Sequence, residues 1–300
     1  LNGWLTGWIL FAALIFARMT QSLVMSATSP AATAYVSDIT DVSNRTIGIG
    51  RIGAAHSLGT ILGPAIAYFS IISLLAPIYM AAVMTFLAAI FVMVYLPALP
   101  ISKTTTVTNK KLRYTDKRIL PFMVVGIAMF TGFSVVQQTL GYYFQDKLNL
   151  TAELTAQQVG IAMMGSAIAA LAMQLLVVQR FGWTPFRLMR VGLPFMLLGF
   201  IGLTLGRDLF EFVLAMALVG TGIGMSAPGF SAAATLAVKA EEQGAVAGLI
   251  SACPALGFIV GPMLGGTLYQ FHSTSPYIVS AILFIPLVLF SWRMRGRDRV

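Results

Sequence analysis

Arg18 is the residue best placed for chemistry, because it is a lone charge inside an apolar segment. No other charged residue occurs between Leu1 and Val36. A charge deep in a membrane costs about 2.5–3.5 kcal/mol on insertion scales, so such residues face protein or a water-filled cavity. An arginine in this setting could bind a substrate or take part in proton coupling. The alternative is a structural arginine whose head group snorkels to the outer interface.

Uncharged polar side chains accompany Arg18 at helical spacing. Ser22 and Met25 lie four and seven residues further along the chain, and Gln21 lies beside them. Residues at this spacing share one face of a helix. Polar groups mixed with methionine suit an amphipathic organic ligand. Alternatively, these groups hydrogen-bond neighbouring helices, which contributes about 0.6 kcal/mol for each bond.

His56 is a second titratable side chain inside an apolar segment. An imidazole titrates near neutral pH, so His56 could carry protons in a coupled process. The alternative is a packed, hydrogen-bonded histidine without a role in coupling.

Enzymatic chemistry finds little support in the sequence. Gly220, Gly222 and Gly224 lie inside an apolar run, so they do not form a nucleotide-binding loop, and no Walker-type phosphate loop occurs. The two histidines, His56 and His272, are isolated and leave no obvious metal-binding spacing. We therefore predict that the protein is not an enzyme and requires no cofactor or metal ion.

The composition predicts that these side chains are positioned by membrane-spanning helices. Of 300 residues, 58% are hydrophobic and only 10% are charged, and the mean hydropathy is +0.85. The apolar runs are about 20 residues long, which is the length that crosses a bilayer as a helix. The net charge of +9 comes from residues in short loops on alternate sides of these runs. This is the positive-inside pattern of a membrane protein, so we expect no nucleic-acid partner.

Nine spanning helices are predicted, at 8–36, 46–70, 74–96, 119–145, 156–179, 186–206, 209–236, 243–270 and 275–293. The basic segment 99–118 between the third and fourth helices predicts a cytoplasmic linker. The expected domains are therefore a partial N-terminal bundle of three helices at 1–98, the linker at 99–118, and a C-terminal bundle of six helices at 119–300.

The charges of the loops predict the orientation. The loop at 180–190 and the tail after the last helix are basic, whereas the connections at 146–155 and 207–208 are not. The positive-inside rule then places the Leu1 end outside and the Val300 end in the cytoplasm. Six helices follow the linker and only three precede it, so we expect three further helices upstream of Leu1.

A long-range repeat divides the chain. Gly59, Gly63 and Pro64 recur 198 residues later as Gly257, Gly261 and Pro262, and the second copy continues with Gly265 and Gly266. Glycines four residues apart let helices approach closely, and an internal proline bends a helix. Repeats with such interrupted helices in matching positions are typical of transporters with a site between two halves.

The sequence resembles the major facilitator superfamily, and most closely its twelve-helix drug–proton antiporters, which include tetracycline exporters. Leu14, Arg18, Gln21 and Ser22 are similar to a helix-four motif of that family, with serine in place of its glycine. The two Gly-Pro segments resemble motifs of helices five and eleven. The resemblance covers nearly the whole chain, as the equivalent of helices four to twelve. Asp38 also matches a family acid at the inner end of helix four.

The resemblance implies a cavity lined by the family's helices one, four, seven and ten. In this chain, helices seven and ten carry polar, methionine and aromatic candidates for substrate binding or coupling: Ser134, Gln137, Gln138, Tyr142, Thr221 and Met225. It also implies that Asp38 and the Gly-Pro residues serve conformational change.

We therefore expect an all-α polytopic membrane protein with a two-bundle fold. The expected function is efflux of an amphipathic small molecule or drug by alternating access, driven by a proton gradient. The expected setting is a bacterial inner membrane, with the lipid bilayer, protons and the substrate as partners and a monomer when full length. The alternatives are a proton symporter or uniporter of a metabolite, and a membrane sensor that binds a ligand without moving it.

Overall fold

The computed structural model describes residues 7–39, 55, 59, 63, 66, 69, 72–73, 75–96, 114–181, 183–238 and 242–293. Within these residues all regular secondary structure is helical. The chain divides into two compact units. The first unit holds α1 (Trp8–Ser26) and α2 (Thr28–Ile39), and the second holds all of the other helices.

The first predicted helix, 8–36, is divided in the structure by a turn at Ala27. The amide of Ala27 donates to the Val24 carbonyl at 3.3 Å, which is a tighter turn than an α-helix makes. Pro30 has no N–H to donate to the Ser26 carbonyl, so the helical ladder is interrupted here. The interruption separates the polar face of α1 from the segment that carries Asp38.

The second unit is built from seven helices and one short π-helix within the described residues. The helices are α3 (Ala76–Tyr95), α4 (Leu120–Leu148), α5 (Ala152–Met173), α6 (Pro185–Leu205), α7 (Leu209–Leu236), α8 (Gln243–Phe271) and α9 (Ser275–Arg293). The π-helix Gln174–Arg180 continues α5 without a break. Three of these helices begin at side-chain caps, because Thr151, Thr184 and Asp208 each accept a backbone N–H three residues ahead.

Eight helical segments in the described part of the chain are long and apolar enough to cross a membrane. The predicted helices agree with them to within a few residues at most ends. One exception is α5, which begins at Ala152 rather than 156 because Thr151 caps it. The predicted helix at 46–70 lies largely outside the described residues.

Buried aromatic rings hold α4, α6, α7 and α9 together. Phe144 of α4 stacks on Phe212 of α7 at a centroid distance of 5.1 Å, and the Tyr143 hydroxyl donates to the Leu203 carbonyl of α6 at 2.8 Å. Phe200 and Phe284 meet edge to face at 4.8 Å. These contacts add specific ring geometry to a core that is otherwise aliphatic and methionine-rich.

Glycines bring α7 very close to α5. A Cβ placed on Gly220 would lie 2.0 Å from the Ser166 carbonyl oxygen, and one on Gly224 would lie 2.6 Å from the Ala170 carbonyl oxygen. No side chain fits at either position without moving backbone. Helices in membranes gain their association from this kind of close packing, because lipid offers no hydrophobic driving force.

An ionic clamp joins the start of α4 to the start of α8. Arg118 donates through Nη1 to Glu242 at 2.9 Å and through Nη2 to Asp116 at 2.8 Å. Its Nε also donates to Asp116, at 3.1 Å. Hydrogen bonds from the Arg118 guanidinium hold the pKa of the Asp116 carboxyl below its usual range. The Asp116 carboxylate therefore keeps its charge further into the acidic range than an unpaired aspartate does.

Replacing Arg118 with glutamine should lower the thermal unfolding midpoint slightly at neutral pH, because exposed ion pairs contribute little to stability. Folding lowers the pKa of Asp116. The ion pair therefore stabilises the folded protein fully above the pKa that Asp116 has in the unfolded chain. This stabilisation is lost as the pH falls through the lower pKa of the folded state. The difference in unfolding midpoint between the Arg118 variant and the wild type should accordingly shrink in strong acid. Lys117→Gln is the control. An equal fall in its unfolding midpoint at neutral pH would show that the ionic clamp does not contribute to stability.

Candidate functional site

Arg18 lies on an exposed polar face of α1. Its Nη1 donates to the Gln21 side-chain oxygen at 2.8 Å. Ser22 and Met25 are exposed as well, and α1 has no buried residue. The hydrogen bond between Arg18 and Gln21 leaves the other guanidinium N–H groups available to an acceptor, since an arginine has five donors.

Several other candidates of the first half fall where the structure gives no side-chain description. His56 and Pro64 lie outside the described residues, as does the side chain of Asp38. Gly59 and Gly63 are described, and a Cβ on either would meet nothing within 4 Å. Their roles in coupling and conformational change stay predictions.

The polar candidates of α4 divide between the core and the surface. Ser134 is fully buried, and its hydroxyl has no hydrogen-bond partner among the described residues. Gln137 is partly buried, whereas Gln138 and Tyr142 are exposed. The helix therefore presents Gln138 and Tyr142, one turn apart, as the two side chains able to meet a ligand directly.

Gln138 and Tyr142 line a cleft of about 420 Å³ between α4 and α8. We call it the tyrosine cleft, and the described residues that line it are Gln138, Thr139, Tyr142, Pro262, Gly266, Tyr269 and Gln270. Two amides and two phenol rings supply donors, acceptors and aromatic faces. Such a mixture suits an amphipathic ligand better than a strongly hydrated one.

Tyr269 is held in place at the edge of this cleft. Its hydroxyl donates to Asp146 Oδ2 at 2.5 Å, and its ring centroid lies 6.2 Å from that of Tyr142. The hydrogen bond fixes the position of the Tyr269 ring at the edge of the cleft. Two rings at this separation, with a carboxylate beside them, form a favourable environment for an organic cation.

The candidates of α7 are less accessible. Met225 is 2% exposed and packs with Val177 and Leu188 in a small cluster. Thr221 is partly buried. The structure does not bring either of them into the tyrosine cleft, nor does it bring Ser134 or Gln137 there.

The second Gly-Pro motif packs directly against α4. A Cβ on Gly257 would lie 2.6 Å from the Phe130 Cβ and 2.8 Å from the Thr131 amide nitrogen. A Cβ on Gly261 would lie 2.5 Å from the Ser134 hydroxyl oxygen. Gly265 continues the row with a contact of 3.1 Å to Thr139, whereas Gly266 faces open space. The row formed by Gly257, Gly261 and Gly265, which we call the glycine seam, makes α4 and α8 a tightly joined pair.

Sequence reasoning did not identify Thr139, Tyr269 and Gln270 as site residues. A signal for the last two was present, because they follow Gly266 at three and four residues and so share its helix face. Thr139 gives no such signal. It is known only from the pairing of α4 with α8 and from its hydrogen bond to the Tyr277 hydroxyl at 3.0 Å.

A sequence profile of the Major Facilitator Superfamily matches residues 2–253 and 189–300. Multidrug resistance protein 1 of Bacillus subtilis (strain 168) is 25% identical over 291 residues, which cover 93% of this chain and 73% of that protein. Quinolone resistance protein NorA of Staphylococcus aureus (strain COL) is 24% identical over 277 residues, which cover 89% of this chain and 69% of that protein. Multidrug resistance protein 2 of B. subtilis is 25% identical over 287 residues, which cover 90% and 70%.

These matches confirm the resemblance drawn from the motifs, the all-α polytopic fold, and a role in membrane transport rather than in enzyme catalysis. The substrate of this protein is a small molecule that crosses a membrane. Because the profile matches most of the chain, the chain belongs to the major facilitator superfamily of secondary transporters.

Proposed function

We propose that the protein exports an amphipathic small molecule or drug across the bacterial inner membrane in exchange for protons. The tyrosine cleft is the observation that carries this proposal, because Gln138, Tyr142 and Tyr269 offer neutral polar and aromatic contacts in one concavity. The similarity to proteins named for multidrug and quinolone resistance supports the same substrate class. Organic cations with an aromatic part are the preferred ligands, since Asp146 stands beside the ring pair.

Alternating access would convert substrate binding into transport. The glycine seam joins α4 and α8 so closely that they move together, and Pro254 and Pro262 lie inside α8, where a proline bends a helix. In our proposal the partial bundle at 1–98 and the bundle at 119–300 rock about a central site, joined by the linker at 99–118. A substrate drives such a change only through different affinities for the two states.

The proposed energy source is the proton gradient, without a bound cofactor. Arg18, with Gln21, Ser22 and Met25, is the proposed coupling and substrate-binding face of the first half, and His56 and Asp38 are further proposed participants. Four further candidates are proposed to help form the substrate cavity without lining the tyrosine cleft: Ser134, Gln137, Thr221 and Met225. The proposed orientation places the Leu1 end outside and the Val300 end in the cytoplasm, in a protein that works as a monomer.

Accumulation in cells tests this function. The protein is expressed in bacteria that lack their own efflux pumps, and uptake of a tetracycline, a quinolone and a cationic dye is followed before and after an uncoupler. We expect low accumulation that rises when the uncoupler collapses the proton gradient. Accumulation equal to that of empty cells would contradict the proposal and favour a metabolite transporter or a sensor.

A matched pair of variants ties the export to the cleft. Tyr142→Ala should weaken apparent affinity for the cationic dye about fivefold, the effect of losing ~1 kcal/mol of cation–π attraction. Tyr114→Ala removes an exposed tyrosine outside the cleft and should leave export unchanged. Equal affinity in all three proteins would show that the cleft does not bind the dye.

A further inference from the structure

A second cavity, of about 790 Å³, lies along α4, α8 and α9, and it differs in chemistry from the tyrosine cleft. We call it the apolar groove. Side chains of α4 such as Val124 and Ala128 line it, together with Leu264 of α8 and Leu283 and Phe284 of α9. Among the described lining residues, Thr131, Ser280 and Arg293 alone interrupt the apolar surface with polar groups.

Two of these three polar groups do not need a hydrogen bond from a ligand. The Ser280 hydroxyl donates to the Pro276 carbonyl at 2.7 Å, and Thr131 is only 9% exposed. Apart from Arg293, the described part of the wall therefore offers methyl, methylene and ring surface. A hydrocarbon chain is the occupant whose chemistry fits it.

The groove also has the length of a lipid chain. It follows α9 from Val279 to Arg293. At 1.5 Å per residue this stretch is about 21 Å long. A bilayer's hydrocarbon core is about 30 Å thick, so the groove covers more than the depth of a single leaflet.

Arg293 supplies a positive charge at one end of the groove. It lies in the last turn of α9 and is exposed. No acidic side chain among the described residues forms an ion pair with it, whereas Arg118 is engaged by Asp116 and Glu242. The last turn of a helix favours a cation, and an anionic head group would complete the arrangement.

We propose that the apolar groove binds an anionic phospholipid, with an acyl chain along α9 and the head-group phosphate on Arg293. Any phospholipid could fill the hydrocarbon part, because lipid tails are present on all sides. Selectivity would therefore come from the charge, as in basic pockets between helices at the cytoplasmic surface. In the proposed orientation Arg293 faces the inner leaflet, where the lipid would reside.

Native mass spectrometry tests this inference. The purified protein is mixed in detergent with equal amounts of palmitoyl-oleoyl phosphatidylglycerol and palmitoyl-oleoyl phosphatidylcholine, and the bound lipids are identified. We expect about a fivefold preference for phosphatidylglycerol, the factor expected from a single basic residue near the head groups. Equal binding of the two lipids would overturn the proposal.

Three variants assign the binding to this groove. Arg293→Gln should abolish the preference for phosphatidylglycerol, whereas Arg180→Gln, which removes an exposed arginine outside the groove, should retain it. Val124→Trp should reduce the number of bound lipids of both kinds, because Val124 is 52% exposed and a larger ring there fills the groove without entering the core. A preference that survives Arg293→Gln, or binding unchanged by Val124→Trp, would refute the site. Circular dichroism confirms that each variant is folded.

Discussion

Alanine in place of Gly257 should destabilise the pair formed by α4 and α8 by about 1–3 kcal/mol, the usual cost of adding a carbon to a closed contact. The added Cβ would lie 2.7 Å from the Phe130 carbonyl carbon and 2.8 Å from the Thr131 amide nitrogen. Both are backbone atoms, so the helices themselves would have to separate. The thermal midpoint of the purified protein should fall by several degrees. Export should fall as well, because α4 and α8 would no longer pack closely enough to move together.

Gly248→Ala is the matched control for this prediction. Gly248 lies on the same helix, and a Cβ there would meet nothing within 4 Å. Alanine also has the better helix propensity, by about 1 kcal/mol. The midpoint of this variant should stay level or rise. A similar fall in both variants would mean that glycine in α8 matters for a reason other than the seam.

Arg18→Gln should lower export at least about tenfold, since hydrogen bonds to a charged group contribute roughly 1.5–3 kcal/mol. The neutral amide can still contact Gln21, but it cannot hold an anion or alter the protonation of a nearby group. Export by the variant should also lose its dependence on external pH. The measurement is the initial rate of efflux from preloaded vesicles over a range of pH.

Two companion variants separate the charge from the geometry. Arg18→Lys keeps the charge and should retain part of the rate, although it loses the planar fork. Lys147→Gln removes an exposed charge outside the proposed site and should behave like the wild type. An unchanged rate and pH profile in Arg18→Gln would reduce Arg18 to a structural arginine.

The spanning helices could be predicted because their signal is local. Apolar length alone located α4 at 119–145, against the observed Leu120–Leu148, and α9 at its observed bounds. The break at Ala27 was missed because an apolar run continues through it, and the effect of Pro30 depends on a single absent donor. Hydrophobic length specifies that a segment crosses the membrane, but it says little about interruptions within the segment.

The candidate site could be predicted only in part, for a different reason. Gln138 and Tyr142 were recognisable as polar and aromatic residues on one helix, but their partner Tyr269 is more than a hundred residues away. The link from Arg118 to Glu242 spans a similar distance. Helix pairing determines such contacts, and no local pattern encodes it. The fine division of α4 into buried Ser134 and exposed Gln138 likewise follows from where α8 packs.

The π-helix Gln174–Arg180 changes what the end of α5 can present to its neighbours. A π-turn places an additional residue between hydrogen-bonded groups, so the helix behaves as though one residue had been inserted into it. Within this segment Val177 is enclosed, whereas Leu175 and Leu176 are each 48% exposed. An insertion or deletion of one residue within Gln174–Arg180 would therefore rotate the side chains that follow it about the helix axis, whereas the same change in a loop would not.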